Sequence, residues 1–223
     1  MRLTKAQERL LAALMTKKGR LEQGKFIVEG AKFVKDAGRA VLFTFTPADT
    51  PRWREFVSTE TPQPIAAVVA LRAWTMTDVA NMRTIVVLDG VQDPGNVGAV
   101  LRACLGFRAG LLLVECADVT NPKTVRSSAS AVLHVPWMTV SRSHGARAIA
   151  NLNRPVFRLE LRKGSQPVGD IPREPPVVMI AGSEGSGIRL DAAGTSIHIP
   201  HDRSLESLNV GVAVSIALYE RSR

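Results

Sequence analysis

Residues 177–188 read VVMIAGSEGSGI, which predicts a buried strand that runs into a glycine-rich turn. After a polar stretch, residues 197–220 read IHIPHDRSLESLNVGVAVSIALYE, which predicts a short strand, a polar loop and a helix that is apolar almost all round. In open α/β sheets, ligands bind at the carboxyl ends of the strands. Two such loops near one another predict a small-molecule pocket at this edge of the sheet.

The glycine turn lacks the spacing of the common nucleotide-binding motifs. A P-loop carries Lys and then Ser or Thr directly after its last glycine, whereas Gly187 is followed by Ile188 and Arg189. The order Gly182-x-x-Gly185-x-Gly187 also differs from the dinucleotide fingerprint G-x-G-x-x-G. An NTPase and a dinucleotide-dependent enzyme are therefore both poorly supported.

The composition favours a polyanionic partner. Of 223 residues, 29 are Lys or Arg and 20 are Asp or Glu, which gives a formal net charge of +9. Such a charge can also serve solubility alone. The only cysteines, Cys104 and Cys116, have no CxxC neighbour and no local His cluster, so neither zinc nor a disulfide framework is indicated. Because the sequence shows neither a signal peptide nor an apolar stretch that could span a bilayer, we expect a cytoplasmic protein with no membrane partner.

Hydrophobic patterning divides the chain into two lobes. Residues 1–75 predict a small α/β module with a basic amphipathic helix at 3–18, and residues 76–83 predict a linker. In residues 84–223, strands alternate with helices, which predicts an α/β fold with a mostly parallel sheet and helices on both faces. The strands of this second lobe are predicted at 85–88, 111–114, 132–135, 156–159, 177–181 and 197–200, and its longer helices at 97–105, 145–152 and 207–219.

Three segments of the second lobe resemble, in order and spacing, the three motifs of the SpoU (TrmH) family of RNA 2′-O-ribose methyltransferases in the SPOUT superfamily. They are LDGVQDPGNVGAVLRAC at 88–104, MIAGSEGSGI at 179–188 and IPHDRSLESLNVGVAVSIALYE at 199–220. Between them, NPKTVRSSASAVLHVP at 121–136 resembles the family's Lys/Arg/Ser segment. In the front lobe, GRLEQGKFIVEGAKFVKDAG at 19–38 is similar to the opening of the L30e-like RNA-binding domain that often precedes the methyltransferase domain.

This resemblance implies a C-terminal trefoil knot, a homodimer that pairs near the knot, and S-adenosyl-L-methionine as the methyl donor. The implied reaction transfers a methyl group to a ribose 2′-hydroxyl of structured RNA. Ribosomal RNA is the favoured substrate, because the L30e-like module is more typical of members that act there. Two alternatives stay open: a tRNA 2′-O-methyltransferase, and a non-catalytic RNA-binding or ribosome-assembly protein that keeps the fold.

The resemblance also assigns residues to roles, and it implies no metal. The residues expected to bind the methyl donor are Gly182, Ser183, Glu184, Gly187, Ile199, Pro200, Ser207, Leu208 and Asn209. Those expected to take part in catalysis are Asn96, Arg102, Glu184, Ser207 and Asn209. Those expected to contact RNA phosphates are Lys123 and Arg126, although a solvated helix face would carry the same residues.

Most of these residues also have a structural interpretation. Asn96 follows Pro-Gly and could cap a turn or helix, Ser207 could cap the last helix, and Glu184 could brace the glycine turn. Asn209 is predicted within an apolar helix, where its amide needs a partner. Arg102 is a proton acceptor in family proposals, but a guanidinium with a pKa above about 12 is a poor base, so electrostatic stabilisation of the developing alkoxide is the alternative.

Two positions depart from the family pattern. His201 stands where motif three commonly has Met, and Gly211 stands where Ser is common. The first affects the expected cofactor pocket, and the second affects helix packing.

Overall fold

The computed structural model describes residues 2–202 and 204–223, which form two sheets. The smaller sheet is antiparallel in the order β1-β3-β2, and the larger sheet has seven strands in the order β6-β5-β4-β9-β7-β10-β8. The strands are β1 Lys25–Glu29, β2 Val41–Phe45, β3 Ala66–Ala70, β4 Thr84–Asp89, β5 Ala109–Val114, β6 Trp137–Val140, β7 Val156–Leu159, β8 Gln166–Pro167, β9 Val177–Gly182 and β10 Thr195–His198.

Helices pack on both sheets, and those of the second lobe cover both faces of the larger sheet. The helices are α1 Lys5–Leu14, α2 Lys17–Gln23, α3 Ala31–Ala37, α4 Trp53–Phe56, α5 Met76–Ala80, α6 Pro94–Gly106, α7 Pro122–Ser127, α8 Arg142–Ala150 and α9 Val210–Ser222. Within the described ranges, every helix is too short or too polar to cross a lipid bilayer.

Strand β4 shows why the sheet forms. Each of its six residues is buried, and alternate side chains enter two different cores. Val86 and Leu88 pack with α6, α7 and α9, while Ile85 and Val87 pack with α5 and α8. All pairings that join the seven strands are parallel. A strand buried on both faces needs a continuous apolar run, so the predicted mostly parallel sheet with helices on both faces is confirmed.

The smaller sheet packs directly against the larger lobe. Phe26 and Val28 of β1 belong to the same hydrophobic core as α6, α7 and α9. A buried ion pair also joins the lobes, since Arg20 Nη2 lies 2.7 Å from Asp118 Oδ2. In addition, Ser130 Oγ donates to Asp36 Oδ2 at 2.7 Å. The two lobes therefore share one interior.

The predicted strand at 132–135 is wrong. Ala131–Leu133 form a 3-10 turn, and the strand β6 begins at Trp137. Just before the turn, Ala129 and Ser130 adopt left-handed backbone conformations, with φ of 46° and 75°. Ser130 is fixed there by Asp36 of the front lobe. This long-range contact bends the chain, and Val132 enters the core without pairing in the sheet.

Four other boundaries differ from the predictions. The helix predicted at 3–18 is two helices, because Thr16 interrupts the first and accepts a hydrogen bond from the Gly19 amide of the second. Residues 76–83 contain α5, whose amino terminus is capped by a Thr75–Asp78 capping box. The loop at 162–176 contains β8 at the sheet edge. Helix α9 begins at Val210 rather than at Ser207. One side of this helix is exposed to solvent, so the helix is not buried all round.

Candidate active site

Three of the predicted catalytic residues meet at the carboxyl ends of β4 and β9. Asn96 lies in the first turn of α6, Glu184 lies in the turn after β9, and Asn209 immediately precedes α9. Asn209 Nδ2 donates to Asn96 Oδ1 at 2.8 Å and to Glu184 Oε1 at 3.0 Å. Asn96 Nδ2 lies 3.3 Å from the same Glu184 oxygen. These contacts define the Asn96–Glu184–Asn209 cluster.

The side chains that cap α6 and α9 differ from those that the sequence predicts. Asp93 caps α6 by accepting a hydrogen bond from the Asn96 amide at 2.9 Å, so the Asn96 side chain is left for the cluster. Asn209 caps α9 through Oδ1, which accepts from the Gly211 and Val212 amides at 3.0 and 3.3 Å. Asn209 is therefore not inside the helix, and Ser207 is not its cap.

The glycine turn closes on itself. A Cβ at Gly182 would lie 2.1 Å from the carbonyl carbon of Gly187, so no other residue fits there without opening the turn. The Ser183 amide donates to Asp89 O at 3.1 Å, and the Gly187 amide donates to Ser183 O at 2.9 Å. Gly187 has a φ of +62°, which favours glycine. The glycines thus place Glu184 by allowing the chain to approach itself.

Asp89 is a buried carboxylate beside the glycine turn that the sequence motifs do not single out. This carboxylate is 1% exposed, and its Oδ2 accepts hydrogen bonds from the Arg189 and Leu190 amides, both at 2.6 Å. Arg142 Nη1 lies 2.7 Å from Oδ1, and Arg142 also pairs with Glu115. Asp89 therefore holds the segment after the glycine turn against the end of β4. Its only sequence signal is a charged residue that ends a wholly apolar strand.

Two adjoining cavities follow β10, and the smaller one extends to Leu208, the residue before Asn209 of the cluster. One measures about 530 Å³ and is lined by Ile199 and Pro200, among others, and the other measures about 280 Å³ and is lined by Ser207 and Leu208. His201 borders both cavities, and its Nδ1 lies 2.7 Å from Ile199 O. The walls are mostly apolar with a few polar groups, which is typical of small-molecule sites of this size. Four of the nine expected donor-binding residues line this space, whereas the other five, Gly182, Ser183, Glu184, Gly187 and Asn209, lie outside its lining.

The remaining predicted residues lie around this centre. Arg102 is exposed on α6, and within residues 2–202 and 204–223 no hydrogen-bond or ion-pair partner meets it. Lys123 Nζ lies 2.9 Å from Asp93 Oδ2, and this ammonium holds the pKa of Asp93 below its ordinary value. Arg126 Nη1 donates to Ser58 Oγ of the front lobe. Each of the two basic residues of α7 therefore has a polar partner within the protein.

A parallel α/β sheet that carries a polar cluster and a small-molecule cavity at the ends of its strands defines an α/β enzyme domain. Residues 83–219 match the model of the SpoU rRNA Methylase family. The chain belongs to this family, and the resemblance predicted from its motifs is confirmed.

Known proteins agree with this assignment along the whole chain. A 23S rRNA (guanosine(2553)-2′-O)-methyltransferase, RlmP of Bacillus subtilis, is 29% identical over 92% of each chain. A 23S rRNA (guanosine-2′-O-)-methyltransferase, RlmB of Ralstonia nicotianae, is 28% identical over 84% of this chain and 80% of its own length. The crystal structure of an AdoMet-bound rRNA methyltransferase from Sinorhizobium meliloti superimposes with a TM-score of 0.86 at 27% identity, over 100% of this chain and 96% of that one.

Proposed function

We propose that this protein transfers a methyl group from S-adenosyl-L-methionine to a ribose 2′-hydroxyl of ribosomal RNA. The observation that carries the proposal is the Asn96–Glu184–Asn209 cluster, which joins three distant segments beside a small-molecule cavity in a chain of the SpoU rRNA Methylase family. The relatives from Bacillus and Ralstonia are named as 23S rRNA 2′-O-methyltransferases, which favours ribosomal over transfer RNA.

The cavities fit the methyl donor. Ile199, Pro200 and Leu208 would hold its apolar parts, and Ser207 would bind a polar group. The donor supplies an electrophilic sulfonium methyl group. The exposed backbone of the glycine turn at 183–187 would close the site on the side of Glu184.

The cluster and Arg102 would act on the RNA. A ribose 2′-hydroxyl is a weak nucleophile at neutral pH, so it must be oriented and must lose its proton during transfer. Asn96 is oriented by Glu184 and Asn209 and would position the ribose. Arg102 meets no carboxylate in the described chain, so its charge is free for a phosphate next to the target and for the developing alkoxide. We assign Arg102 this electrostatic role.

Arg102 gives the direct test. Arg102→Ala should reduce methyl transfer to 23S rRNA by at least about 100-fold, in line with the loss of one transition-state stabilising group. Arg102→Lys should retain part of the activity, because it keeps the charge. The matched control is Arg147→Ala, on the exposed face of α8, which should transfer methyl groups like the wild type.

Calorimetric titration of S-adenosyl-L-methionine separates this function from a non-catalytic RNA-binding role. All four proteins should bind the donor. If the wild type gave no heat of binding and left 23S rRNA unmethylated, the proposed function would be wrong. If Arg102→Ala retained full activity, the role of Arg102 would be wrong.

We also propose the finer architecture that the family resemblance implies. Strand β9 lies between β4 and β7, the segment after it is bound to Asp89, and α9 then packs on α6. These contacts support a C-terminal trefoil knot. The antiparallel sheet with its helices supports an L30e-like RNA-binding module in residues 1–75, followed by a linker at 76–83 and the methyltransferase domain at 84–223. Lys123 and Arg126 would bind phosphates of the RNA segment that runs between this module and the cluster.

A homodimer would complete the enzyme. Large apolar side chains are exposed on the two packed helices α6 and α9, where Leu105, Val212 and Tyr219 are 42%, 48% and 51% accessible. Arg102 lies on the same exposed side of α6, so in this dimer it would face the partner subunit. Light scattering should show a dimer for the wild type and a monomer for Val212→Glu/Tyr219→Glu.

Ribosomal RNA as the substrate would place the protein in the cytoplasm.

A further inference from the structure

A separate, basic cavity lies at the amino-terminal end of strand β4, at the opposite end of the strand from the candidate active site. It measures about 380 Å³ and is bordered by the first residue of β4, Thr84, and by four arginines: Arg83, Arg108, Arg173 and Arg221. The cluster described above lies beyond the other end of this six-residue strand, roughly 17 Å along the sheet at the usual strand rise. The cavity is therefore separate from the candidate active site.

Arg221 is the buried member of the group. Its side chain is 7% exposed, and all three of its hydrogen bonds go to neutral acceptors. Nε donates to Thr84 Oγ1 at 2.8 Å, Nη2 donates to Pro175 O at 2.7 Å, and Nη1 donates to Pro172 O. In the part of the chain that the structure describes, no carboxylate lies within 4 Å of this guanidinium. Burial and the charge of Arg83 lower the pKa of Arg221.

A buried cation without an anion is costly, and such groups normally pair with an opposite charge. Arg221 stands in the last turn of α9, whose carbonyl end supplies about half an elementary negative charge. This partial charge offsets the guanidinium incompletely. Arg221 also lines a cavity that is large enough for an anion.

Two of the other arginines add to the same excess of positive charge, whereas the third, Arg83, pairs with Glu174. Arg108 and Arg173 are exposed, and among the described residues neither has an acidic partner. Like charges repel one another, so a cavity that gathers them is most stable when an anion lies between them. Guanidinium groups suit phosphate in particular, because their paired N–H groups match two phosphate oxygens.

We propose that this arginine cavity is a phosphate-binding site and that its occupant is a backbone phosphate of the RNA substrate. The choice of RNA rests on the proposed function, whereas the phosphate chemistry rests on the cavity alone. The site would hold a part of the RNA that is distant from the methylated nucleotide. It would thereby add affinity without contacting the reacting ribose.

The test uses a pair of double variants of equal charge. Arg108→Ala/Arg173→Ala removes the two exposed arginines and leaves the buried one in place, so folding should be preserved. Arg147→Ala/Lys163→Ala removes two exposed basic residues outside the front lobe that have no partner in the described chain. Thermal unfolding checks that both variants are folded.

The first measurement is calorimetric titration with pyrophosphate. The wild type and the control variant should bind it, and the cavity variant should bind at least about tenfold more weakly. The second measurement is the salt dependence of binding to an unmodified 23S rRNA transcript. The slope of log K against log salt should fall by about 1.4 to 1.8 in the cavity variant, which corresponds to two lost phosphate contacts.

Each other result overturns a stated part of the proposal. If both double variants lost pyrophosphate binding equally, or if the wild type did not bind it, the cavity would not be a phosphate site. If pyrophosphate binding were lost while the RNA slope stayed the same, RNA would be excluded as the occupant in favour of a free phosphate compound. Methyl transfer by the wild type to the same transcript tests the proposed function separately.

Discussion

Asn209 uses both ends of its amide. Its oxygen accepts hydrogen bonds from two amides at the start of α9, and its nitrogen donates to Asn96 and Glu184. Helix capping and active-site assembly therefore depend on one side chain. A substitution that preserves only one of these functions can separate stability from catalysis.

We predict that Asn209→Ala and Asn209→Asp both abolish most methyl transfer, since each removes the donor to Asn96 and Glu184. Only Asn209→Ala should lose the cap, at about 1 kcal/mol of unfolding free energy. Asn209→Asp keeps an acceptor at the helix amino terminus, where negative charge is favourable. Urea unfolding and methyl transfer to 23S rRNA measure the two effects. Wild-type activity in Asn209→Asp would contradict the positioning role.

The two cysteines are predicted to be unreactive in the folded protein. Burial raises the pKa of Cys104, which is fully buried, and it raises the pKa of Cys116 to about 11. The thiolate is the reactive form, so both thiols stay protonated and slow near neutral pH. Iodoacetamide at pH 7.5 should leave the native protein unlabelled by mass spectrometry and should label both cysteines in guanidinium. Alkylation of the native protein should accelerate only as the pH approaches 11.

The motifs of the sequence predict three residues that lie together in the structure. Asn96, Glu184 and Asn209 were all predicted, and the structure brings them together. Asp89 and Arg142 were not predicted as site residues, because their contacts join distant parts of the chain. A carboxylate at the end of an apolar strand does not indicate which amides it will bind.

At the scale of elements, the glycine turn after β9 depends on one close approach. We predict that Gly182→Ala lowers the unfolding free energy by roughly 1–3 kcal/mol and weakens S-adenosyl-L-methionine binding, because the new Cβ would overlap the backbone at Gly187. Gly185→Ala is the matched control, since no atom lies within 4 Å of its added Cβ. Calorimetric titration and urea unfolding measure both variants. Equal behaviour of the two alanine variants would contradict this account of the turn.

The strands that the sequence predicts best are those whose own residue pattern is enough to explain them. The apolar runs of β4, β5 and β9 are strands because both of their faces are buried. The run at 132–135 has apolar residues on both sides of the exposed His134, yet its start forms a turn that follows Ser130, which is bound by a residue of the other lobe. Periodicity cannot show such a contact.

At the scale of the whole molecule, the two lobes are joined by the Arg20–Asp118 ion pair. Arg20 is 5% exposed and Asp118 is 12% exposed, and Arg20 also donates to Thr120 and to the carbonyl of Leu14. Loss of one member of a buried pair leaves the other charge without a partner. The orientation of the front lobe therefore depends on this contact.

We predict that Arg20→Ala lowers the unfolding free energy by about 3 kcal/mol. Lys18→Ala is the control, because Lys18 and Glu22 form an exposed pair whose loss should cost less than about 0.5 kcal/mol. Urea unfolding compares the two variants. An Arg20→Ala protein as stable as the Lys18→Ala protein would show that the ion pair does not join the lobes energetically.

The strand order has a consequence during synthesis on the ribosome. Strand β4 lies inside the sheet between β5 and β9, but β9 begins only at Val177. At 5–20 residues per second, one edge of β4 waits for its partner for roughly 5 to 20 seconds after Asp89 is made. During that interval the nascent chain presents an apolar, unpaired edge, so its yield in cells should depend on chaperones that shield such edges.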